Sequence, residues 1–174
     1  MLKRLLLPAA LLFAAGGTFA QQPSTQAAGS SQAQPAQPTK EQREFRARMA
    51  KNALGVVQAA DQGNIGSLWD QSSDVMKHAV TRDAFIAGVQ SERNKLGTVQ
   101  SRKLALMFRS VAKDDKNLPA GTYFNVKFAT QFSDTRQKML ETVSYHFDKD
   151  NQVRLSGYTV QPLNLPAKAG SKSQ

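Results

Sequence analysis

The chain has 174 residues, a hydrophobic content of 40%, a formal net charge of +10 and no cysteine. The absence of cysteine excludes disulfide bonds, a thiolate nucleophile and a cysteine metal cluster. The length allows one domain with tails, and the intermixing of basic with acidic residues indicates a solvated basic surface, not a specific nucleic-acid site.

Residues 1–20 have the pattern of a secretory signal peptide. Lys3 and Arg4 form a positive start, residues 5–15 are a short apolar run, and Thr-Phe-Ala places small residues before a cut after Ala20. The apolar run is too short to span a membrane stably. We therefore expect export to a bacterial periplasm, with no membrane span after cleavage.

Two segments flanking the expected domain lack the residues that form a core. Residues 21–38 contain no charged and no large apolar residue, and residues 166–174 likewise contain no large apolar residue. Such segments cannot bury enough surface to offset the entropy of ordering them. We expect a disordered linker at 21–38, a single domain at 39–163 and a disordered tail at 164–174.

The first part of the domain has helical periodicity. Thr39 and Gln42 have the spacing of a capping box, and an apolar stripe follows until Gly63. Short helical pieces are expected over 64–80, where Trp69, the only tryptophan, fits a core position better than a ligand-stacking one. A second long helix is expected over 82–95.

The sequence also indicates the ends of this second helix and a buried position near its C-terminus. Thr81 is suited to cap it and Gly97 to end it. Arg93 lies close to the apolar stripe of the same helix, so its stem is expected to be buried and its guanidinium to need a partner.

From residue 98 the period changes to two, which predicts four strands joined by short turns, over 99–111, 121–132, 138–147 and 152–161. Helices followed by an antiparallel meander predict an α+β fold, with the N-terminal helices packed on a curved four-stranded sheet. The alternation places one apolar set of the first strand on a single face: Leu104, Leu106 and Phe108. Gly157 is the expected bend of the last strand.

The chain resembles the bacterial secreted family catalogued as domain of unknown function 4019, over about residues 45–161. The resemblance is carried by these elements: Asp61-x-Gly63, Trp69-Asp70, Val80-Thr81-Arg82, Arg93-x-x-Leu96-Gly97, Arg102, Leu118-Pro119-x-Gly121-x-Tyr123, Thr130-x-Phe132, Glu141-x-Val143 and Arg154-x-x-Gly157-Tyr158. Three positions differ from the family pattern: Ile65 stands where an aromatic residue is usual, and Phe85 and Val153 stand where a tryptophan is usual.

The resemblance implies no enzyme activity. By analogy, the layout is similar to the cones of nuclear transport factor 2-like and cystatin-like proteins, a scaffold that hosts both enzymes and binders.

No catalytic residue, metal site or cofactor is predicted. His78 and His146 have neither a carboxylate nor a second histidine at ligand spacing, so each fits a surface histidine better than a general base. The acidic turn at 148–151 lacks the glycine and the closing glutamate of a calcium loop.

Glu141 lies on the apolar face of its strand and needs a partner, which we expect to be Arg93 first and Arg102 second. The pair is interpreted as a structural link between helix and sheet, with a ligand-binding charge cluster as the alternative. The candidate ligand-binding or structural residues are Arg93, Arg102, Glu141, Tyr123, Tyr158 and Trp69.

Two functions remain open on these grounds. The first is a non-enzymatic periplasmic module that binds a small molecule or a protein partner. The second is a small cone-fold hydrolase or isomerase with an acid/base residue in its pocket. The scarcity of histidine and the absence of cysteine favour the first.

Export gives a direct prediction. Sequencing of the mature protein should find its first residue at Gln21, because the signal peptide is removed after Ala20. A mature chain that starts at Met1, or a protein recovered from the cytoplasm alone, would contradict the prediction.

Overall fold

A computed structural model describes residues 37–114 and 118–164. The expected signal peptide at 1–20 lies outside this part of the chain. So do the expected linker, except for residues 37 and 38, and the expected tail after residue 164.

Four helices precede four strands in the described residues. The helices are α1 (Lys40–Asp61), α2 (Ile65–Asp70), α3 (Asp74–Ala79) and α4 (Arg82–Asn94), and the strands are β1 (Val99–Ala112), β2 (Gly121–Phe132), β3 (Met139–Phe147) and β4 (Val153–Pro162). The strands form one antiparallel sheet in the order β1-β2-β3-β4. The predicted α+β class and the meander are confirmed.

The helix ends follow the signals in the sequence. Thr39 and Gln42 exchange both hydrogen bonds of a capping box at the start of α1. Thr81 accepts a hydrogen bond from the Ala84 N–H at the start of α4. Gly63 and Gly97, which follow the ends of the two long helices, have positive φ angles of 77° and 75°.

One face of the sheet packs against the helices, and we call it the inner face. Alternate side chains of β2 on this face are buried: Phe124, Val126, Phe128, Thr130 and Phe132. The helices contribute the other half of the core, principally Met49, Ala53, Val57, Ile65, Met76, Phe85 and Val89. Apolar burial between these two layers is what holds them together.

An extra residue in β1 corrects the face expected for its leucines. Leu104 pairs with Phe128 and therefore lies on the inner face, whereas Leu106 pairs with Lys127 on the outer face. The register shifts between the two leucines, because a bulge at Ala105 exchanges the faces. The prediction that Leu104 shares a face with Leu106 and Phe108 was therefore wrong. Both leucines are partly exposed, Leu104 by 47% and Leu106 by 52%.

β4 is also irregular, close to the bend expected at Gly157. Ser144 pairs with Gly157 and the next residue, Tyr145, pairs with Leu155, so Ser156 is the extra residue of a bulge in β4. Beyond it, from Gly157 onward, β4 runs in regular register with β3 to its end.

Gly63 and Gly97 provide a matched test of the helix ends. Both have positive φ, but a Cβ at Gly97 would collide with Ser133 and Asp134, whereas a Cβ at Gly63 meets open space. Gly63→Ala should cost about 1 kcal/mol of unfolding free energy through backbone strain. Gly97→Ala should cost about 1–3 kcal/mol more, because overpacking is added to the same strain. Urea unfolding of the mature protein measures both, and equal losses would contradict the packing described at Gly97.

Candidate functional site

Glu141 is fully buried on the inner face of β3, and its carboxylate accepts hydrogen bonds from four side chains. Oε1 accepts from Arg93 Nη1 at 2.9 Å, from Arg102 Nη2 at 3.1 Å and from the Tyr158 hydroxyl at 2.7 Å. Oε2 accepts from Arg102 Nε at 2.6 Å and from the Thr130 hydroxyl. Charge-assisted bonds of this kind compensate the cost of burying the carboxylate.

Asp61 closes the arrangement into a ring. Its carboxylate pairs with Arg93 Nη2 and accepts from Arg102 Nη1 and Nη2 at 2.8 and 2.9 Å. Each arginine therefore bridges the same two carboxylates, and the formal charges of the ring sum to zero. We call these four residues, with Thr130 and Tyr158, the charged cluster.

All the long elements of the domain contribute to the charged cluster. Asp61 is the last residue of α1 and Arg93 lies in the last turn of α4. Arg102, Thr130, Glu141 and Tyr158 come one each from β1, β2, β3 and β4. The cluster therefore fixes the ends of both long helices against every strand of the sheet.

The environment of the cluster shifts two protonation equilibria. Burial opposes the charge on Arg102, but its hydrogen bonds with Asp61 and Glu141 outweigh burial and raise the pKa of the guanidinium above its usual value. Burial, with the nearby Glu141 carboxylate, raises the pKa of the Tyr158 hydroxyl well above its usual range. Arg102 is therefore charged and Tyr158 protonated at any physiological pH, so neither can serve as a base.

Two open spaces border the cluster. An apolar groove of about 510 Å³ lies between α4 and β4, and we call it the α4–β4 groove. Phe85, Val89 and Val160 line it, and so does Tyr158, whose hydroxyl is held in the cluster. A more polar space of about 410 Å³ lies beside Asp61 and Arg93, between the ends of α1 and α4.

The other two candidate residues lie away from this cluster. The Trp69 indole N–H donates to the Val80 carbonyl at 3.0 Å, and the ring packs against the core. Tyr123 is on the outer face of β2, where it is buried and its hydroxyl donates to the Pro119 carbonyl at 2.9 Å. Of the six predicted residues, the structure brings together Arg93, Arg102, Glu141 and Tyr158.

Sequence reasoning missed Asp61 and Thr130 as members of the cluster. Asp61 carries a signal that was available, because a carboxylate in the last turn of a helix opposes the helix dipole and needs a cation. Thr130 carries a weaker one, as the only polar residue in the buried set of β2.

The two histidines line the same cleft, of about 640 Å³, between α3 and the β3–β4 turn. His146 Nδ1 lies 2.7 Å from Asp148, whose other oxygen accepts from Arg154 at 2.8 Å. The remaining nitrogen, Nε2, is buried without a hydrogen-bond partner and packs against Gly121. His78 Nδ1 lies 2.8 Å from the Asp74 carbonyl oxygen.

Asp150, an acidic residue of the same cleft, already has hydrogen-bond partners. Hydrogen bonds from Arg154 and from the Gln152 N–H lower the pKa of Asp150 to about 2. Across the described ranges, no group of three or more His, Cys, Asp or Glu side chains could hold a metal ion.

Comparison with known protein families gives a match over most of the folded part of the chain. A family model described as "Protein of unknown function (DUF4019)" matches residues 50–158, which is more than half of the chain. No curated protein and no solved structure matches the chain significantly. The likeness to the cone-shaped scaffolds therefore stays a prediction.

Within 37–114 and 118–164, no helix is both long and apolar enough to cross a membrane.

The cluster predicts a strongly coupled pair of substitutions. Glu141→Ala should destabilise the fold by about 3 kcal/mol, because it removes the acceptor shared by two buried guanidiniums. The double variant Glu141→Ala/Arg93→Ala should cost less than the sum of the two single variants. Urea unfolding of the four proteins in this cycle gives the coupling free energy.

Asp70→Ala serves as the control. Asp70 accepts from Arg82 at 2.8 and 3.2 Å, but both side chains are exposed, so the loss should be far smaller. Additive effects of Glu141→Ala and Arg93→Ala, or a loss in Glu141→Ala no larger than in the control, would contradict the role given to Glu141.

Proposed function

Since the chain belongs to the family described as "Protein of unknown function (DUF4019)", whose name gives no activity, we propose a function from the geometry. The protein is a non-enzymatic binding module of the periplasm, and its ligand occupies the α4–β4 groove. The observation that carries the proposal is the groove itself: an apolar space with one of its walls anchored in the charged cluster.

The size and lining of the groove support a binding role. Its volume of about 510 Å³ lies in the range typical of ligand sites, about 300–1,000 Å³. Apolar side chains supply most of the contact surface, with a few polar groups at Ser91, Glu92 and Gln161 to orient a ligand. Because the Tyr158 hydroxyl is hydrogen-bonded to Glu141, the Tyr158 side chain is already ordered, and ligand binding does not incur the entropy cost of ordering it.

The ionised groups of the cluster support binding over catalysis. Acid/base chemistry needs titratable groups that converge on a space open to substrate. Here Glu141 is fully buried, and each carboxylate of the ring is already paired with both arginines. The cluster is therefore a scaffold for the groove and not a source of protons.

A small cone-fold hydrolase or isomerase is the alternative. The pair of Asp148 with His146 favours it, because a carboxylate on one ring nitrogen orients a histidine that acts as a base with the other. That second nitrogen would have to reach a substrate, however, and it is buried beside Gly121.

Export remains supported by the sequence features at the N-terminus. The charges of Lys3 and Arg4, the short apolar run after them and the small residues ending at Ala20 are the support for a periplasmic destination.

Gly88 offers a clean way to block the groove. It lines the groove, and a Cβ built there meets nothing within 4 Å. Gly88→Phe should fill the groove without straining the helix, whereas Gly88→Ala should leave it open. Gly55→Phe is the matched control on α1, where a Cβ also meets open space but faces a different surface.

Native mass spectrometry of the protein isolated from its own periplasm measures the bound ligand or partner. The wild type, Gly88→Ala and Gly55→Phe should carry the same additional mass, and Gly88→Phe should lose it. Retention of the mass by Gly88→Phe would contradict the groove as the site. The absence of any additional mass in the wild type would contradict the binding function.

A further inference from the structure

The wall that β4 contributes to the groove is the edge of the strand. Four consecutive residues of β4 line the groove, from Tyr158 to Gln161. Side chains of a strand alternate between its two faces, so consecutive residues line one space only when the backbone edge is turned toward it. The groove therefore runs along main-chain hydrogen-bonding groups as well as apolar side chains.

The register shows which of these groups are free. The Leu163 N–H donates to the Lys138 carbonyl at 2.8 Å, so this is a hydrogen-bonded pair of the antiparallel ladder. Such pairs alternate with non-bonded ones. Counting back along the regular register, Thr159 and Gln161 turn their N–H and C=O groups toward β3, whereas Tyr158 and Val160 turn theirs toward the groove.

Pro162 supports this assignment independently. It pairs with Met139 at a position where the ladder requires no N–H from β4, which is where a strand tolerates proline. At the other end of the strand, the edge is already used, because the Leu155 carbonyl accepts from the Ser73 N–H at 2.8 Å. The open part of the edge is thus the stretch from Tyr158 to Gln161, about 13 Å long at ~3.3 Å per residue.

The opposite wall of the groove is one face of α4, whose lining residues are three or four positions apart in sequence. Phe85, Val89 and Glu92 lie on one side of α4 together with Ala84 and Gly88. Glu92 is the only charged side chain lining the groove. Its Oε1 accepts from Lys95 Nζ at 2.8 Å in an exposed ion pair, and such a pair contributes little energy, so a cation at that end of a ligand can replace Lys95.

We propose that the ligand of the α4–β4 groove is an extended polypeptide segment of a partner, which adds to the open edge of β4 as a fifth strand. The inference rests on the binding function proposed above and specifies its ligand. Main-chain bonds to Tyr158 and Val160 hold the segment, alternate apolar side chains face Phe85 and Val89, and a lysine or arginine pairs with Glu92.

The other open edge of the sheet is less suited to such a partner. β1 carries Lys103 and Arg109 and is interrupted by the bulge at Ala105, features that discourage edge pairing. In contrast, β4 has no charged residue after Arg154. Residues 165–174 of the chain contain a single large apolar residue, Leu165, and so lack the alternation that the groove requires.

The test uses the mature full-length protein and a library of heptapeptides. The probes have Val, Leu, Ile or Phe at alternate positions, Thr between them and Lys at one end. Wild type and Gly88→Ala should enrich peptides from the library, and Gly88→Phe should not. Peptide binding should slow amide hydrogen exchange at Tyr158 and Val160, with little change at Thr159, which already bonds β3.

Two N-methylated versions of the best peptide provide the sharpest control. One carries methyl groups on the odd amides and the other on the even amides, so only one of them loses the N–H groups that face β4. Their dissociation constants should differ by about tenfold or more. Equal constants would overturn strand addition.

Three further results would also overturn the proposal. These are no enrichment by the wild type, slow exchange of Tyr158 and Val160 without peptide, and a dimer that Gly88→Phe converts to a monomer. If mass spectrometry nevertheless finds a small molecule that Gly88→Phe excludes, the strand-addition proposal fails while the binding function stands.

Discussion

A fully buried carboxylate, Glu141, sets the constraint on which the rest of this domain depends. A carboxylate without partners in an apolar core would be strongly destabilising. Two guanidiniums and two hydroxyl groups satisfy it, and Asp61 balances the second positive charge. If the elements that supply these groups shifted relative to one another, a buried charged group would lose its partner.

The consequence for function is that the groove has a fixed wall. Arg93 holds the end of α4 and Tyr158 holds β4, and both are tied to the same carboxylate. The two walls of the α4–β4 groove are thus connected through the buried cluster and not only through contacts of their own. Buried ion pairs contribute little net stability but can specify a single arrangement, and here the arrangement that they specify includes the groove.

The sequence predicted most of the fold because its local signals agree with one another. Alternating apolar residues in β2, the capping box at Thr39 and the glycines after both long helices all pointed to the elements found. The pairing of Glu141 with arginine was also predictable, since a carboxylate on an apolar face needs a cation. The extra residue at Ala105 was not, because a bulge is set by pairing with the neighbouring strand and leaves the period of the strand's own sequence unbroken.

The site was predictable only in part for a related reason. The charged cluster follows from single residues that need partners, whereas the groove follows from the register of β4 against β3 and from the position of α4. Neither the register of β4 nor the position of α4 can be inferred from the periodicity of the sequence. The shared cleft of His78 and His146 is of the same kind, because the two residues are far apart in sequence.

Hydrogen exchange of arginine side chains tests the buried cluster most directly. Arg102 Nε–H donates to Glu141 at 2.6 Å and its side chain is 9% exposed, while Arg82 Nε–H donates to Asp70 at 2.8 Å from a side chain that is 46% exposed. NMR detection of both Nε–H groups should find the Arg102 proton exchanging far more slowly than the Arg82 proton. Equal exchange rates would show that Glu141 and Arg102 are open to water, and would contradict the central claim.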